Sequence, residues 1–172
     1  MSDSAKSLLL FVVLLFVQVF LLQQVSVGWG GKEYVFLFVT PLFVALQPLR
    51  TPRPLVVLLG FAIGLGTDFF YGTLGLHAAA GTFAGYVRAF ILQTLEPKDG
   101  YKVKSSNQGR ELPRNWWLSY LFLLMVAYCI FYFSVEAFSH VYWLDVVIKT
   151  VATVPVSWMF CSVLALFFRP RL

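Results

Sequence analysis

The stretch from residue 60 to residue 88 constrains the fold most, because it places ionisable side chains inside an apolar and glycine-rich sequence. Spacings of three and four residues put two sets of side chains on single helix faces. The first face consists of Gly60, Gly64 and Asp68, and the second of His77, Gly81, Gly85 and Arg88. Between them, the sequence from Gly72 to Gly75 predicts a tight turn. We therefore predict a hairpin of two membrane helices.

Both faces of this hairpin are suited to packing inside a membrane. Glycine lets helix backbones approach closely where no water drives their association. Ionisable residues are costly in a bilayer and usually face protein or a cavity. We therefore expect Asp68, His77 and Arg88 to fix the hairpin or to contact a partner.

The composition of the chain is that of a membrane protein. Of its 172 residues, 59% are hydrophobic and 12% are charged, which differs from the balance of a soluble domain. We predict one all-α domain with six transmembrane helices, at residues 8–27, 34–49, 55–71, 77–95, 116–135 and 146–168. Pro41 is expected to kink or tilt the second helix. No small-residue cleavage site follows the first apolar run, so we expect it to be retained and not removed as a signal peptide.

The distribution of lysine and arginine predicts the orientation. With the N-terminus in the cytoplasm, six spans place ten cations inside and Lys32 outside, in agreement with the positive-inside rule. Arg88 and Lys149 fall within spans. Both termini are therefore expected in the cytoplasm. The net charge of +5 is attributed to orientation and not to nucleic-acid binding.

A candidate pocket lies near the outer ends of the helices. Asp68 and Lys149 are each expected roughly 5 Å below the outer membrane boundary, so an ion pair between them is geometrically allowed. His77, Tyr132 and Glu136 belong to the same end. One interpretation is a small polar pocket that opens outward. The alternative is that these groups join helices, with Lys149 extending to the surface.

The inner side also carries groups with two interpretations. Arg88 can cap a helix end or hold a lipid phosphate, or it can extend to the interface. The basic segment from Lys98 to Arg114 can dock anionic membrane lipids or a cytoplasmic protein. Otherwise it is a solvated loop whose charge sets the topology.

Motifs for catalysis or metal binding are missing from the sequence. His77 and His140 both belong to the outer end, but no spacing of acids or thiols supports a haem or metal site. Cys129 and Cys161 lie in apolar runs and are expected to be small core residues. No nucleophile elbow, P-loop or HExxH sequence is present. We therefore expect no enzyme activity, no metal and no cofactor.

The hairpin sequence resembles the signature of the rod shape-determining membrane protein MreD family. The match follows the pattern G-L-x-x-D-x-F-x-x-x-x-G-L-H-A-A-A, and the proline-rich turn from Pro48 to Pro52 fits as well. It is carried by Gly64, Leu65, Asp68, Phe70, Gly75, Leu76, His77, Ala78, Ala79, Ala80, Tyr86 and Arg88. The motif covers a minor part of the chain, and the remainder agrees in length and hydropathy pattern.

The resemblance implies a non-enzymatic scaffold of cell elongation in the bacterial cytoplasmic membrane. Such proteins bind the scaffold protein MreC. Through it they connect the MreB filament with a SEDS glycosyltransferase and a class B transpeptidase that build peptidoglycan. The family's fold is also similar to the six-helix substrate-binding component of energy-coupling-factor transporters, although a shared fold does not carry over a ligand. A small-molecule-binding component of a transporter is therefore the alternative function.

Overall fold

The structure, a computed structural model, describes residues 3–22, 27–29, 32–73, 75–96, 113–138 and 142–168. Within these ranges it contains six α-helices and one two-stranded β-hairpin. The helices are α1 (Asp3–Phe16), α2 (Thr40–Leu46), α3 (Arg53–Tyr71), α4 (Leu76–Thr94), α5 (Arg114–Ala137) and α6 (Trp143–Phe168). The strands β1 (Val27–Trp29) and β2 (Lys32–Val35) pair antiparallel between α1 and α2. The prediction of a helical fold is therefore confirmed, with a short β-hairpin that the sequence did not indicate.

Consecutive helices from α3 to α6 pack side by side, and α2 lies among them. α2 contacts α1, α3, α4 and α5, and all seven of its residues are buried. The bulkiest fully buried side chains are Phe43 of α2 and Tyr120, Tyr128 and Phe133 of α5. α5 therefore supplies most of the large groups that pack in the core around α2.

Three of the described helices, α3, α5 and α6, are long and apolar enough to cross a membrane. Residues from Ser7 to Leu22 form a shorter apolar helix. Large apolar side chains are exposed on the outer faces of α3 and α6, a surface that suits lipid and not water. They include Leu58, Phe61, Leu65 and Phe69 on α3, and Val151, Met159 and Val163 on α6.

The prediction for the second helix is wrong over its first part. In place of a helix beginning at residue 34, the structure has the end of β2, a non-helical segment at residues 36–39 and then α2. Pro41 lies in the first turn of α2, where a proline fits because no amide hydrogen is required there. It therefore begins the helix and does not kink it.

Side chains of α6 bind the backbone of the non-helical segment. The Ser157 hydroxyl accepts a hydrogen bond from the Phe38 amide at 3.1 Å and donates one to the Phe36 carbonyl at 3.1 Å. Thr153 accepts from the Phe36 amide at 3.3 Å. The Cys161 thiol lies 3.3 Å from the Phe38 carbonyl oxygen. These side chains supply the partners that a helix would have provided for itself.

Gln18 provides a second set of partners for the same segment. It lies in a π-helical turn, Val17–Leu22, that continues α1. Its side chain accepts from the Val39 amide at 2.6 Å and donates to the Leu37 carbonyl at 3.1 Å. The Tyr71 hydroxyl of α3 lies 2.9 Å from the Gln18 side-chain nitrogen and donates to the Gln18 backbone carbonyl at 2.7 Å. The first helix, the third helix and the non-helical segment are thus joined through one glutamine.

We expect Ser157→Ala to lower the free energy of unfolding by about 1–3 kcal/mol, because it leaves the buried Phe38 amide and the partly buried Phe36 carbonyl without this partner. The matched control is Ser162→Ala in the same helix, where the hydroxyl donates to the Trp158 carbonyl one turn earlier. That variant should stay within about 0.5 kcal/mol of the wild type. Thermal unfolding in detergent measures both, and equal losses would contradict the role given to Ser157.

Candidate functional site

The two predicted glycine faces meet each other between α3 and α4. A side-chain carbon added to Gly60 would overlap the Gly81 carbonyl, and one added to Gly81 would overlap the Gly60 carbonyl. Gly64 lies against the His77 backbone in the same way, and Gly85 lies against the backbone of α3 near its start. The helices therefore touch backbone to backbone, and these faces are occupied within the hairpin rather than by a partner helix.

The connection between α3 and α4 needs glycine at two positions. Gly72 and Gly75 have φ angles of 68° and 82°, in the left-handed region where a side chain is strained. Gly75 is also the residue before the first turn of α4, and it has no side chain to cap the helix. The first amides of α4 must therefore find acceptors elsewhere in the fold.

Asp68 of α3 supplies these acceptors. Its carboxylate accepts hydrogen bonds from the backbone amides of His77 at 3.0 Å and Ala78 at 2.8 Å. The Thr73 hydroxyl donates to the same carboxylate. Asp68 is 3% exposed, and the positive end of the α4 dipole stabilises its charge in this buried position. The carboxylate therefore fastens the end of one helix of the hairpin to the start of the next.

His77 is fully buried in the first turn of α4. Its Nδ1 lies 2.7 Å from the Tyr128 hydroxyl. Four aromatic rings surround the imidazole. Their centroids lie 5.5 Å (Phe38), 5.2 Å (Tyr71), 4.7 Å (Tyr132) and 6.5 Å (Tyr128) from its own. Nε2 has no hydrogen-bond partner among the described residues. The imidazole is thus packed as an aromatic group and oriented by one polar contact.

The ion pair that the sequence allows between Asp68 and Lys149 does not form. Lys149 Nζ lies 2.9 Å from a carboxylate oxygen of Glu136, and it lies over the rings of Phe36 and Phe133 at 5.8 and 5.6 Å from their centroids. Asp68 is held by the amides of α4 instead. The four residues of the candidate pocket are therefore divided. Asp68, His77 and Tyr132 form one buried group, and Lys149 belongs to a separate, partly exposed pair with Glu136.

A cavity of about 500 Å³ opens beside the Lys149–Glu136 pair. Its wall combines aromatic rings with two carboxylates and one ammonium group. The lining residues that carry these groups are Tyr34, Phe36, Phe133, Glu136, Tyr142, Asp145 and Lys149. Asp68, His77 and Tyr132 are not part of this wall, so the polar pocket expected from the sequence is two separate features.

Arg88 caps the end of α2. Its guanidinium is 3% exposed and donates to the carbonyls of Gln47 at 2.5 Å and Pro48 at 3.2 Å. Its Nε donates to the Tyr120 hydroxyl at 2.8 Å. Both carbonyls follow the last residue of α2, where helix partners run out. Of the roles that the sequence leaves open for Arg88, the structure shows the helix cap.

Three contributors to these contacts were not predicted from the sequence: Gln18, Thr73 and Tyr120. Tyr120 had a usable signal, because Tyr120, Tyr128 and Tyr132 follow one another at spacings of eight and four residues and therefore share a face of α5. Thr73 had none. Gln18 stands out as a polar residue in an apolar run, but the sequence does not identify the distant backbone groups that it binds. His140 and residues 98–112 of the basic segment lie outside the described residues.

The chemistry of the site is that of holding helices together. Asp68 and Arg88 bind backbone groups at helix ends, and His77 is enclosed by aromatic rings. Across the described ranges, no three His, Cys, Asp or Glu side chains gather as a metal site. Cys129 and Cys161 are buried free thiols. The geometry therefore favours a binding or structural role for the hairpin.

Comparisons of the chain with protein families, with curated proteins and with solved structures find no match.

We expect Gly64→Ala to lower the free energy of unfolding by at least about 2 kcal/mol, because the added methyl group meets the rigid backbone of α4. The matched control is Gly66→Ala in the same helix, where the methyl group would lie 3.2 Å from a flexible Leu15 side chain. That variant should stay within about 1 kcal/mol of the wild type, since alanine also favours the helix. Thermal unfolding in detergent that ranks the two variants equally would refute backbone contact at Gly64.

We expect Asp68→Ala to cost about 1–3 kcal/mol of unfolding free energy, because two amides at the start of α4 lose their acceptor. Asp68→Asn should cost less, since its amide oxygen still accepts one hydrogen bond. Asp145→Ala is the control, because this half-buried carboxylate lies in the first turn of its own helix, α6, where its loss costs about 0.3–1 kcal/mol. If thermal unfolding shows that Asp68→Ala is tolerated as well as Asp145→Ala, Asp68 does not cap α4.

Proposed function

We propose that this protein is a non-enzymatic membrane scaffold of the bacterial cell-elongation machinery. In this role it binds MreC and helps to couple the MreB cytoskeleton to peptidoglycan synthesis and cell shape. The SEDS glycosyltransferase and the class B transpeptidase are its partners in the wider complex. It lies in the cytoplasmic membrane with six spans and both termini in the cytoplasm.

The observation that carries this proposal is the construction of the α3–α4 hairpin. The residues that resemble the MreD motif are the ones that build it: Gly64 lies against α4, Gly75 takes a positive φ angle, and Asp68 caps the next helix. A motif whose charges are committed to helix ends favours a rigid binding element. It does not favour a site that turns over a substrate.

The dimensions of the second crossing support a six-span topology. The non-helical segment at residues 36–39 rises at most about 14 Å, and the seven residues of α2 add about 10 Å. Together they cover most of the ~30 Å thickness of a hydrocarbon core, with fewer residues than a membrane-spanning helix needs.

The arginines after this crossing support the same topology. Arg50 and Arg53 follow the crossing directly, and Arg114 begins α5 after the chain has returned through α3 and α4. All three therefore lie at the same end in an alternating topology, which suits a cytoplasmic side.

The outer cavity favours a second candidate function, a small-molecule-binding component of a transporter. Aromatic walls with a few convergent charged groups are typical of ligand sites. The two carboxylates of Glu136 and Asp145 outnumber the single ammonium group of Lys149. The wall is therefore negatively charged overall, and the cavity suits a ligand with an amine. The cavity is separate from the motif of the hairpin, and for this reason the scaffold is the first candidate.

A pull-down from mild detergent distinguishes the two functions. The tagged full chain is expressed at its normal level, and the proteins and small molecules that co-purify are identified together by mass spectrometry. We expect MreC, accompanied by cell-wall synthases. Recovery of a transport ATPase or a bound amine without MreC would overturn the scaffold and assign the outer cavity to a ligand.

Two variants link this outcome to the hairpin. Asp68→Ala at equal membrane abundance should reduce the recovered MreC severalfold and impair rod shape, because the start of α4 loses its cap. Phe69→Leu is the matched control, since the neighbouring side chain is 82% exposed and should retain MreC. Normal complex formation and normal rod shape in Asp68→Ala would remove the hairpin from the binding function.

A further inference from the structure

A second cavity, of about 310 Å³, lies at the opposite end of the α3–α4 hairpin from Asp68. Its wall is formed by the linker between α2 and α3, the first turn of α3 and the last turns of α4. The scaffold function does not use this cavity. It shares no lining residue with the aromatic cavity beside Lys149.

Positive charge dominates the wall of this cavity. Arg50, Arg53 and Arg88 line it, and Glu96 is the one carboxylate among its lining residues. Within the part of the chain that the structure describes, neither Arg50 nor Arg53 forms an ion pair. The N-terminus of α3 contributes to the same wall, so the partial positive charge of the helix dipole adds to the field of the arginines. The cavity therefore attracts an anion.

The arrangement of the arginines suits a phosphate group. Arg88 is buried and held in place by the Gln47 and Pro48 carbonyls and by Tyr120, so one cationic wall is fixed before any ligand arrives. Arg53 is anchored at the start of a helix, and Arg50 lies on the linker that precedes it. Guanidinium groups bind phosphate oxygens through paired and charge-assisted hydrogen bonds, which ammonium groups do not reproduce.

The remainder of the wall is apolar. Leu49, Val56 and Leu92 line the cavity together with the small residues Gly85 and Ala89. Leu55, in the first turn of α3, and Phe90, in the last turns of α4, are exposed large apolar side chains at the same end of the hairpin. A free inorganic ion would gain nothing from such a surface, whereas the glycerol and upper acyl region of a lipid would be buried on it.

The geometry points to a binding site for the phosphate of an anionic phospholipid, held by Arg50 and Arg53 in the cavity between the α2–α3 linker and the end of α4, with the positive charge of the buried helix cap Arg88 in the same wall. The cationic end of the cavity takes the headgroup, and the apolar wall takes the glycerol end of the acyl chains. This site lies at the end of the bundle that carries Arg50, Arg53 and Arg114. Anionic lipid headgroups at the cytoplasmic face of a membrane attract basic protein segments of this kind.

Two arginines of matched position test the site. Arg53 and Arg114 each begin a helix directly after a proline, Pro52 and Pro113, but Arg53 lines the cavity and Arg114 does not. The full chain is purified in a nonionic detergent as wild type, Arg53→Gln, Arg50→Gln and Arg114→Gln. The melting temperature of each is measured during titration with short-chain phosphatidylglycerol, short-chain phosphatidylcholine and sodium phosphate.

We expect phosphatidylglycerol to raise the melting temperature of the wild type and of Arg114→Gln with the same apparent affinity. Arg53→Gln should bind it about tenfold more weakly, as the loss of one charge-assisted hydrogen bond implies, and Arg50→Gln should also bind it more weakly. Phosphatidylcholine should have a smaller effect on all proteins. Because Arg50 and Arg53 are exposed, their variants should melt at the wild-type temperature when no lipid is added.

Three results would overturn the site. The first is an equal response of Arg53→Gln, Arg50→Gln and Arg114→Gln to phosphatidylglycerol, which would reduce the effect to general surface charge. The second is an equal response of the wild type to phosphatidylcholine. The third is an equal response to sodium phosphate, which would replace the lipid by a free phosphate as the ligand. Failure of MreC to co-purify bears on the scaffold alone and leaves this measurement unaffected.

Discussion

Backbone groups without helix partners are the constraint on which this structure depends. A buried amide or carbonyl that loses its hydrogen bond costs about 1–3 kcal/mol, so the non-helical segment at residues 36–39 persists because other elements bind it. Gln18 reaches the segment from the π-helical end of α1, and Ser157 reaches it from α6. Both side chains offer a donor and an acceptor, and each satisfies an amide and a carbonyl of the segment. An interruption in one helix thereby becomes the point at which the first and last helices are joined.

The charges of the hairpin follow the same rule. Asp68 meets the amides at the start of α4, and Arg88 meets the carbonyls that follow α2. Each charge faces a helix end of opposite partial charge, which offsets the cost of placing it in an apolar interior. The glycine contacts bring the backbones of α3 and α4 close together, and the Asp68 carboxylate of α3 reaches the first amides of α4. Asp68 and Arg88 of the motif therefore have structural partners within the chain, in agreement with the scaffold function proposed for it.

The glycine faces could be predicted because their spacing along the chain places the glycines on one side of each helix. Two such faces on adjacent helices can pack directly against each other. The partner of Asp68 could not be predicted, since backbone amides are offered by every residue type. The rise per residue predicts that Lys149 and Asp68 lie at the same depth. It does not predict the direction in which each side chain points around its helix axis, and in the structure Lys149 pairs with Glu136. Hydropathy likewise fails at residues 36–39, because a buried non-helical segment is as apolar as a helix. The signal for that interruption lay elsewhere in the chain, in Gln18 and in the small polar residues of α6.

The contacts of the non-helical segment also set an order on biosynthesis. Its hydrogen bonds to α6 join residues that are 117 to 123 positions apart, whereas the α3–α4 hairpin closes over a turn of a few residues. As the chain leaves the ribosome, the hairpin can assemble as soon as α4 has been made, but the segment before it must wait for the final helix. The segment at residues 36–39 is therefore among the last parts of the bundle to complete its hydrogen bonds, although it is translated early. A ribosome that stalls before residue 153 leaves a chain in which the α3–α4 hairpin can close, while the backbone groups that Thr153, Ser157 and Cys161 bind in the complete fold still lack those partners.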